Sequence, residues 1–257
     1  METNGLADSS QLVQTFWLDE GVGSRVQLHQ TIAVVDTLNF RKHADSQEVP
    51  KDEDEQNAHP ENELLLRQLV HADKILLNKV DLLEQQCQKD QKPLAEEIQH
   101  VKQCIAHVNK HALLKETTYA KADLQFLITK DKEVGQLEKS MVKSSHALSH
   151  AIIDSIKSVY VALEDQGKAL PLDKDKLEFF IGELLWEGPT TRNLQIMRCK
   201  GTFVDKSTGT AYILQGVEDL FEFREVKEEP RCSFLFVGKG DINGEAIKKE
   251  IIERCCT

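Results

Sequence analysis

What these 257 residues lack does the first sorting. No apolar run approaches the ~18 residues that a membrane-spanning helix needs. No signal-peptide core opens the chain, because Asp8, Asp19 and Glu20 stand where one would have to be uninterrupted. Basic charge is in deficit: 32 Lys and Arg face 43 Asp and Glu, a net charge of −11. Phosphodiester backbones demand a basic face, so nucleic acid is not an expected partner, and no membrane is either. The six cysteines have no regular spacing and read as free thiols of a cytosolic chain, not as a disulfide framework. The thirteen glycines never gather into a phosphate-cradling loop.

What is present centres on Asn78-Lys79-Val80-Asp81. It follows Ile75-Leu76-Leu77, an apolar run whose length suits a buried parallel strand. An Asn and an Asp three apart, just past a strand, can read guanine. The amide meets the base's acceptors, the carboxylate takes two N–H donors, and the lysine stem can cover the ring. The same residues could instead cap a helix or form a turn.

Thr31 to Asp36 reads as a second buried parallel strand, and Gln11 to Leu18 as helix. Lys42 to Asn62, with its acidic stretch 44–56, reads as an exposed loop. Leu64 to Val70 is predicted helical. Pro93 opens a helix whose apolar face is Leu94, Ile98, Val101 and Ile105. Leu124 to Ile128 is predicted as a strand, and Val134, Leu137, Met141 and Leu148 as a long amphipathic helix. After residue 155 the pattern changes. Val159, Val161 and Leu163 alternate with smaller or more polar neighbours, as on a strand with two unlike faces. A helix spans Leu177 to Leu185, stopped by Gly188-Pro189. Strands follow near Leu194 to Val204, Ala211 to Gln215 and Cys232 to Val237, with turns at 207–209 and 238–240. A helix from Glu245 to Arg254 closes the sequence. The expected organisation is 1–130, a linker helix 131–155, and a separate α+β domain 156–257 with a mainly antiparallel sheet.

In order and spacing these stretches resemble the CobW-like GTPase and metallochaperone family, above all its zinc-regulated GTPase metalloprotein activator branch. Glu2-Thr3-Asn4-Gly5-Leu6-Ala7-Asp8 is similar to the family's switch II motif, with Phe16-Trp17-Leu18-Asp19 after it. Gln68, Ala72-Asp73 and Asn78 to Asp81 are similar to its guanine-specificity region. Leu184-Leu185-Trp186, Arg198 to Gly201, Gln215 to Val217 and Phe236 to Lys239 are similar to its C-terminal domain. Asn4 and Ser9 depart from the family's Thr and Pro, and neither the family's P-loop nor its Cys-x-Cys-Cys motif is present.

The resemblance implies an α/β remnant of a P-loop GTPase sheet followed by a smaller CobW C-terminal domain. It implies GTP with Mg2+, zinc as cargo, and as partner a client metalloenzyme or a full-length family member. The implied location is the cytoplasm, with the nucleus as a second site. Asn78, Lys79 and Asp81 would bind the nucleotide. Glu2 and Gly5 would sense the γ-phosphate, but beside a free amino end they are expected to be disordered. No catalytic residue is assigned, and a chain without the phosphate loop is expected to bind GTP weakly and not to turn it over. The alternative is a non-enzymatic module that binds a client or a full-length relative through its C-terminal domain. For metal, Cys104, His107 and His111 fall on one predicted helical stripe, and His146 and His150 are spaced i, i+4; the bland reading is polar residues on long helices. Asp36 reads as a strand-end or capping group, and Cys255-Cys256 as an exposed thiol pair.

Overall fold

The computed structural model describes residues 1–5, 7–19, 21, 25–26, 28–45, 60–129, 156–165, 168–227 and 231–256. The predicted long helix through Val134 to Leu148, the 131–155 linker, and His146 and His150 lie outside the described residues, as does most of the acidic stretch 44–56. The chain divides into two compact units, whose described parts are residues 1–129 and 156–256. Among the described residues, no helix is long and apolar enough to cross a membrane.

In the first unit, α1 (Ser9–Leu18) leads to β1 (Ile32–Asp36), α2 (Thr37–Asp45), α3 (Pro60–His71), β2 (Lys74–Asn78), α4 (Val80–Asp90), α5 (Leu94–Val108), β3 (Leu113–Glu116) and α6 (Leu124–Ile128). The strands form a parallel sheet in the order β1-β2-β3. Ile75, Leu76 and Leu77 of the central β2 are buried, as an apolar run flanked on both sides should be. The stripe on α5 behaves as its spacing predicts: Ile98, Val101 and Ile105 are buried, together with Val108. Asn109 then closes the turn. Its amide donates to the Leu69 and Ala72 carbonyls at 2.8 and 2.9 Å, and its oxygen accepts from the His111 and Ala112 backbone N–H groups. One buried side chain thereby ends α5 and takes up carbonyls left open at the end of α3.

The second unit contains β4 (Ile156–Ala162), the short β5 (Glu164–Asp165) and β6 (Lys168–Ala169), α7 (Lys174–Trp186), α8 (Gly188–Thr191), β7 (Leu194–Val204), β8 (Ala211–Val217), β9 (Leu220–Val226), β10 (Ser233–Gly240) and α9 (Gly244–Cys255). Its main sheet is antiparallel in the order β4-β10-β7-β8-β9. Leu177, Phe180, Ile181 and Leu184 of α7, with Ile247 and Ile251 of α9, form one core with Phe203, Leu214, Phe234 and Phe236 of the sheet. Asp173 and Asn243 cap the two helices by accepting from backbone N–H groups in their first turns.

Several expectations need correcting. β1 is an edge strand, not a buried one: Val34 is 57% exposed and only Val35 is buried. Residues 124–128 are helix, because Asp123 caps them by accepting from the Gln125 N–H. The third strand is Leu113–Glu116, whose Lys115-Glu116 ending hides it from a hydrophobicity reading. Both ends of the expected loop 42–62 are helical. Gly188-Pro189 opens α8 instead of merely stopping α7. Residues 238–240 continue β10 through an irregularity between Val237 and Gly238. Cys255 is buried, with Cys256 half-buried, and burial pushes the Cys255 thiol up to about 11. Such a thiol is mostly protonated near neutrality and chemically quiet. None of the six cysteines forms a disulfide, in line with the thiol reading.

Asp205, buried at the end of β7, makes the second unit sensitive to acid. Burial alone would raise its carboxyl. Hydrogen bonds from the Ser207 and Thr208 hydroxyls, at 2.6 and 2.7 Å, and from the Lys174 N–H outweigh that and hold it at about 2. A depressed carboxylate contributes stability that is full above its unfolded value, ~3.9, and is lost as pH falls through the folded value. Asp205→Asn is therefore expected to cost about 2 kcal/mol at neutral pH. In urea titrations the difference from wild type should shrink steadily below pH ~4 and vanish near ~2. A difference that stays constant with pH would contradict this account.

Candidate nucleotide-base site

The carboxyl ends of β1 and β2 lie side by side, with Asp36 opposite Asn78. Open α/β sheets place ligands at this end of their strands. Asn78 Oδ1 accepts from the Ala120 N–H at 2.8 Å and from Thr117 Oγ1 at 3.3 Å. The loop after β3 is thus fastened to the end of β2, and Thr117 N–H donates to the Leu77 carbonyl at 2.8 Å. With its oxygen engaged in this way, Asn78 has its NH2 donors to offer a ligand.

The backbone around Asn78 is unusual. Lys79 has φ 63°, and Tyr119 and Ala120 have φ 53° and 52°. Non-glycine residues rarely occupy this region, and three of them at one strand-end cluster indicate a conformation imposed by its surroundings. Lys79 Nζ donates to Asp36 Oδ2 at 2.6 Å, and Asp36 accepts the Asn39 N–H at 3.0 Å, capping α2. Burial would raise the Asp36 carboxyl, but these bonds hold it below the usual range. Both partners are partly exposed, so the ion pair adds little stability and mainly orients the lysine stem. Asp81 lies in the first turn of α4, where its charge suits the helix dipole. Among the described residues its carboxylate has no hydrogen-bond or ion-pair partner.

The other candidate residues lie elsewhere. Gln68, in the last turn of α3, donates to the Gly5 and Ala7 carbonyls at 3.0 and 2.9 Å. Gly5 is thus tied down, contrary to the expected disorder, while Glu2 is exposed. Asp73 accepts the Thr31 N–H at 2.8 Å and sets the start of the sheet. Gln68 and Ala72-Asp73 therefore adjoin the beginning of β2, away from Asn78. The metal stripe does not form: α5 ends at Val108, so His111 leaves the helix, while Cys104 is buried and His107 exposed. Among the described residues, no three His, Cys, Asp or Glu side chains converge as a metal site. The described residues therefore supply no three-ligand His, Cys, Asp or Glu set for a resident ion. The sequence reading missed Thr117 and Ala120; the small and polar residues just after a strand were the available signal, once that strand is seen.

Residues 1–109 match the family model for the CobW/HypB/UreG nucleotide-binding domain. Over these residues the chain is similar to the CobW-like family. It is 28% identical to zinc-regulated GTPase metalloprotein activator 1 of Schizosaccharomyces pombe, over 96% of this chain and 58% of that protein. It is 25% identical to the zinc chaperone YjiA of Escherichia coli, over 93% of this chain and 65% of that one. The chain thus spans about three-fifths of the length of these curated relatives. The crystal structure of Zn(II)-bound YjiA GTPase from E. coli superposes with a TM-score of 0.61 at 22% identity, covering 97% of this chain and 68% of that chain. That likeness shows the fold, a parallel α/β sheet followed by an antiparallel sheet.

Proposed function

We propose that this CobW-like chain selects guanine through Asn78 and Asp81 and serves zinc delivery to a client metalloenzyme in the cytoplasm. The observation that carries the base-reading part is the Asn78 side chain. It is locked to Thr117 and Ala120 beside a left-handed Lys79, with the Asp81 carboxylate in the next helical turn. The zinc part rests on the relatives named zinc-regulated activators and zinc chaperone. These 257 residues supply base contacts without a glycine-rich cradle, so GTP binding by this chain is weak and its hydrolysis is impaired.

Asp81→Asn tests the reading. A carboxylate accepts the N–H groups on guanine's edge, whereas an amide can donate to the extra carbonyl of xanthine. GTP binding by equilibrium dialysis is expected to weaken at least ~10-fold while XTP binding strengthens, because hydrogen bonds to a charged group contribute ~1.5–3 kcal/mol. Equal binding of GTP, XTP and ATP by wild type and variant would remove the base-reading role. A second reading, an interaction module acting through the second unit, is favoured by an exposed aromatic pair on α7.

A further inference from the structure

The outer face of α7 carries two large aromatic side chains in water: Phe179 is 63% exposed and Trp186 62%. Separated by seven residues, they lie on one stripe of the helix, with Gly182 between them. Large exposed rings usually move; these are held. The Trp186 indole N–H donates to the Asp219 carbonyl at 2.8 Å, and the ring stands 6.1 Å from that of Phe221. The indole lies so close over Gly182 that a Cβ there would come within 2.8 Å of Trp186 Cζ3. The guanidinium of Arg254 lies 5.9 Å from the Phe179 ring and is itself fixed to Glu183 at 2.6 Å. The absence of a side chain at 182 lets the indole lie flat against the helix, on the same face as the Phe179 ring.

Carboxylates dominate the rim. Asp175, Glu178, Glu187 and Asp219 are exposed around the stripe. Lys174 lies 3.8 Å from Glu178, and Lys176 sits on the flank. The whole chain carries −11. Aromatic faces attract cations, and carboxylates beside them add charge complementarity. Ordered aromatic side chains cost little entropy on binding and are the residue types that dominate interface energy.

We propose that the Phe179–Trp186 face of α7 docks a cationic segment of another protein, one with an apolar side chain to lie against the rings and an arginine or lysine for the carboxylate rim. This gives the interaction-module reading a place on the molecule, and its test does not involve nucleotide.

The test is fluorescence anisotropy on the full chain, with a fluorescein-labelled peptide carrying leucines among arginines and a charge-reversed copy carrying glutamates. Trp186→Ala and Phe179→Ala are each expected to weaken binding at least ~10-fold, the size of a hot-spot loss. Trp186→Phe should stay within ~3-fold, and the glutamate peptide should not bind. Gly182→Ala should weaken binding by displacing the indole while Phe179 and the charges remain. Both rings are exposed, so the variants should fold, and circular dichroism checks this; if one does not, the other decides. Alanine variants that bind like wild type would reduce the effect to net charge and overturn the proposal. Equal binding of the glutamate peptide would also overturn it. So would self-association that Trp186→Ala abolishes and the arginine peptide does not compete away, since the aromatic face would then belong to a second copy of the chain.

Discussion

Gly238→Ala is expected to cost the second unit about 3 kcal/mol, the upper range for forcing atoms into a packed interior. A Cβ at this position would stand 1.9 Å from the Gln195 carbonyl oxygen and 2.9 Å from the Ile196 Cα. These are backbone atoms of β7, and no rotamer change can move them aside. β10 pairs with β4 on one side and β7 on the other, so a shift of β10 disturbs ladders on both. Gly201 and Gly216 are also tight, but there the obstacles include the Phe234 ring and Cys199 Sγ, which can yield in part. Gly209 is the contrasting control. It has φ +70° with open space around it, so Gly209→Ala carries only the left-handed strain, about 1 kcal/mol. Urea unfolding in a Trp17→Phe background, followed through Trp186, reads the second unit alone. The order Gly238 well above Gly209 is the expected result; equal midpoints would remove the steric argument.

The sequence was most legible where apolar side chains repeat with a regular period. The α5 stripe, the β2 run and the core face of α7 are all buried as their spacing demands. It was least legible where polar contacts decide the conformation. Leu124 to Ile128 looks like a strand by composition, yet Asp123 nucleates a helix there. β9 was overlooked because Glu222, Arg224 and Glu225 break its apolar signal, although Phe221 and Phe223 pack against the core. Gly238 resembles a turn residue, and only the closeness of β7 shows why glycine is needed inside a strand.

The candidate site divides in the same way. Asn78, Lys79 and Asp81 are legible as a tetrapeptide after an apolar run. Thr117 and Ala120 are not, because what joins them to Asn78 is a parallel pairing across some 40 residues of chain. Gln68 is the converse case. The family resemblance groups it with Asn78 in the guanine-specificity region, yet the reversal between α3 and β2 carries it to the opposite end of the strand.

Lys74→Ala is expected to destabilise the first unit by about 2–4 kcal/mol. Lys74 opens the central strand and is 1% exposed, an extreme position for a lysine. Its ammonium donates to the Phe126 carbonyl at 2.7 Å and to the Thr129 carbonyl, and sits 5.3 Å from the Phe126 ring centroid. Gln30 donates to the Leu127 carbonyl, and His29 Nε2 lies 3.3 Å from that of Ile128. A helix of only five residues cannot satisfy its own final carbonyls, so side chains from other parts of the unit do so. Alanine would strand the Phe126 and Thr129 acceptors and leave a void beside β2. Lys74→Met separates the two losses, because it keeps most of the volume and removes only the donors. If the hydrogen bonds dominate, methionine will be nearly as destabilising as alanine in urea unfolding read through Trp17 in a Trp186→Phe background. Amide exchange of residues 124–129 should rise with it, since α6 then loses its hydrogen bonds to the start of β2. A methionine variant as stable as wild type would mean that the desolvation of the buried ammonium offsets its bonds, and that shape alone holds α6 in place.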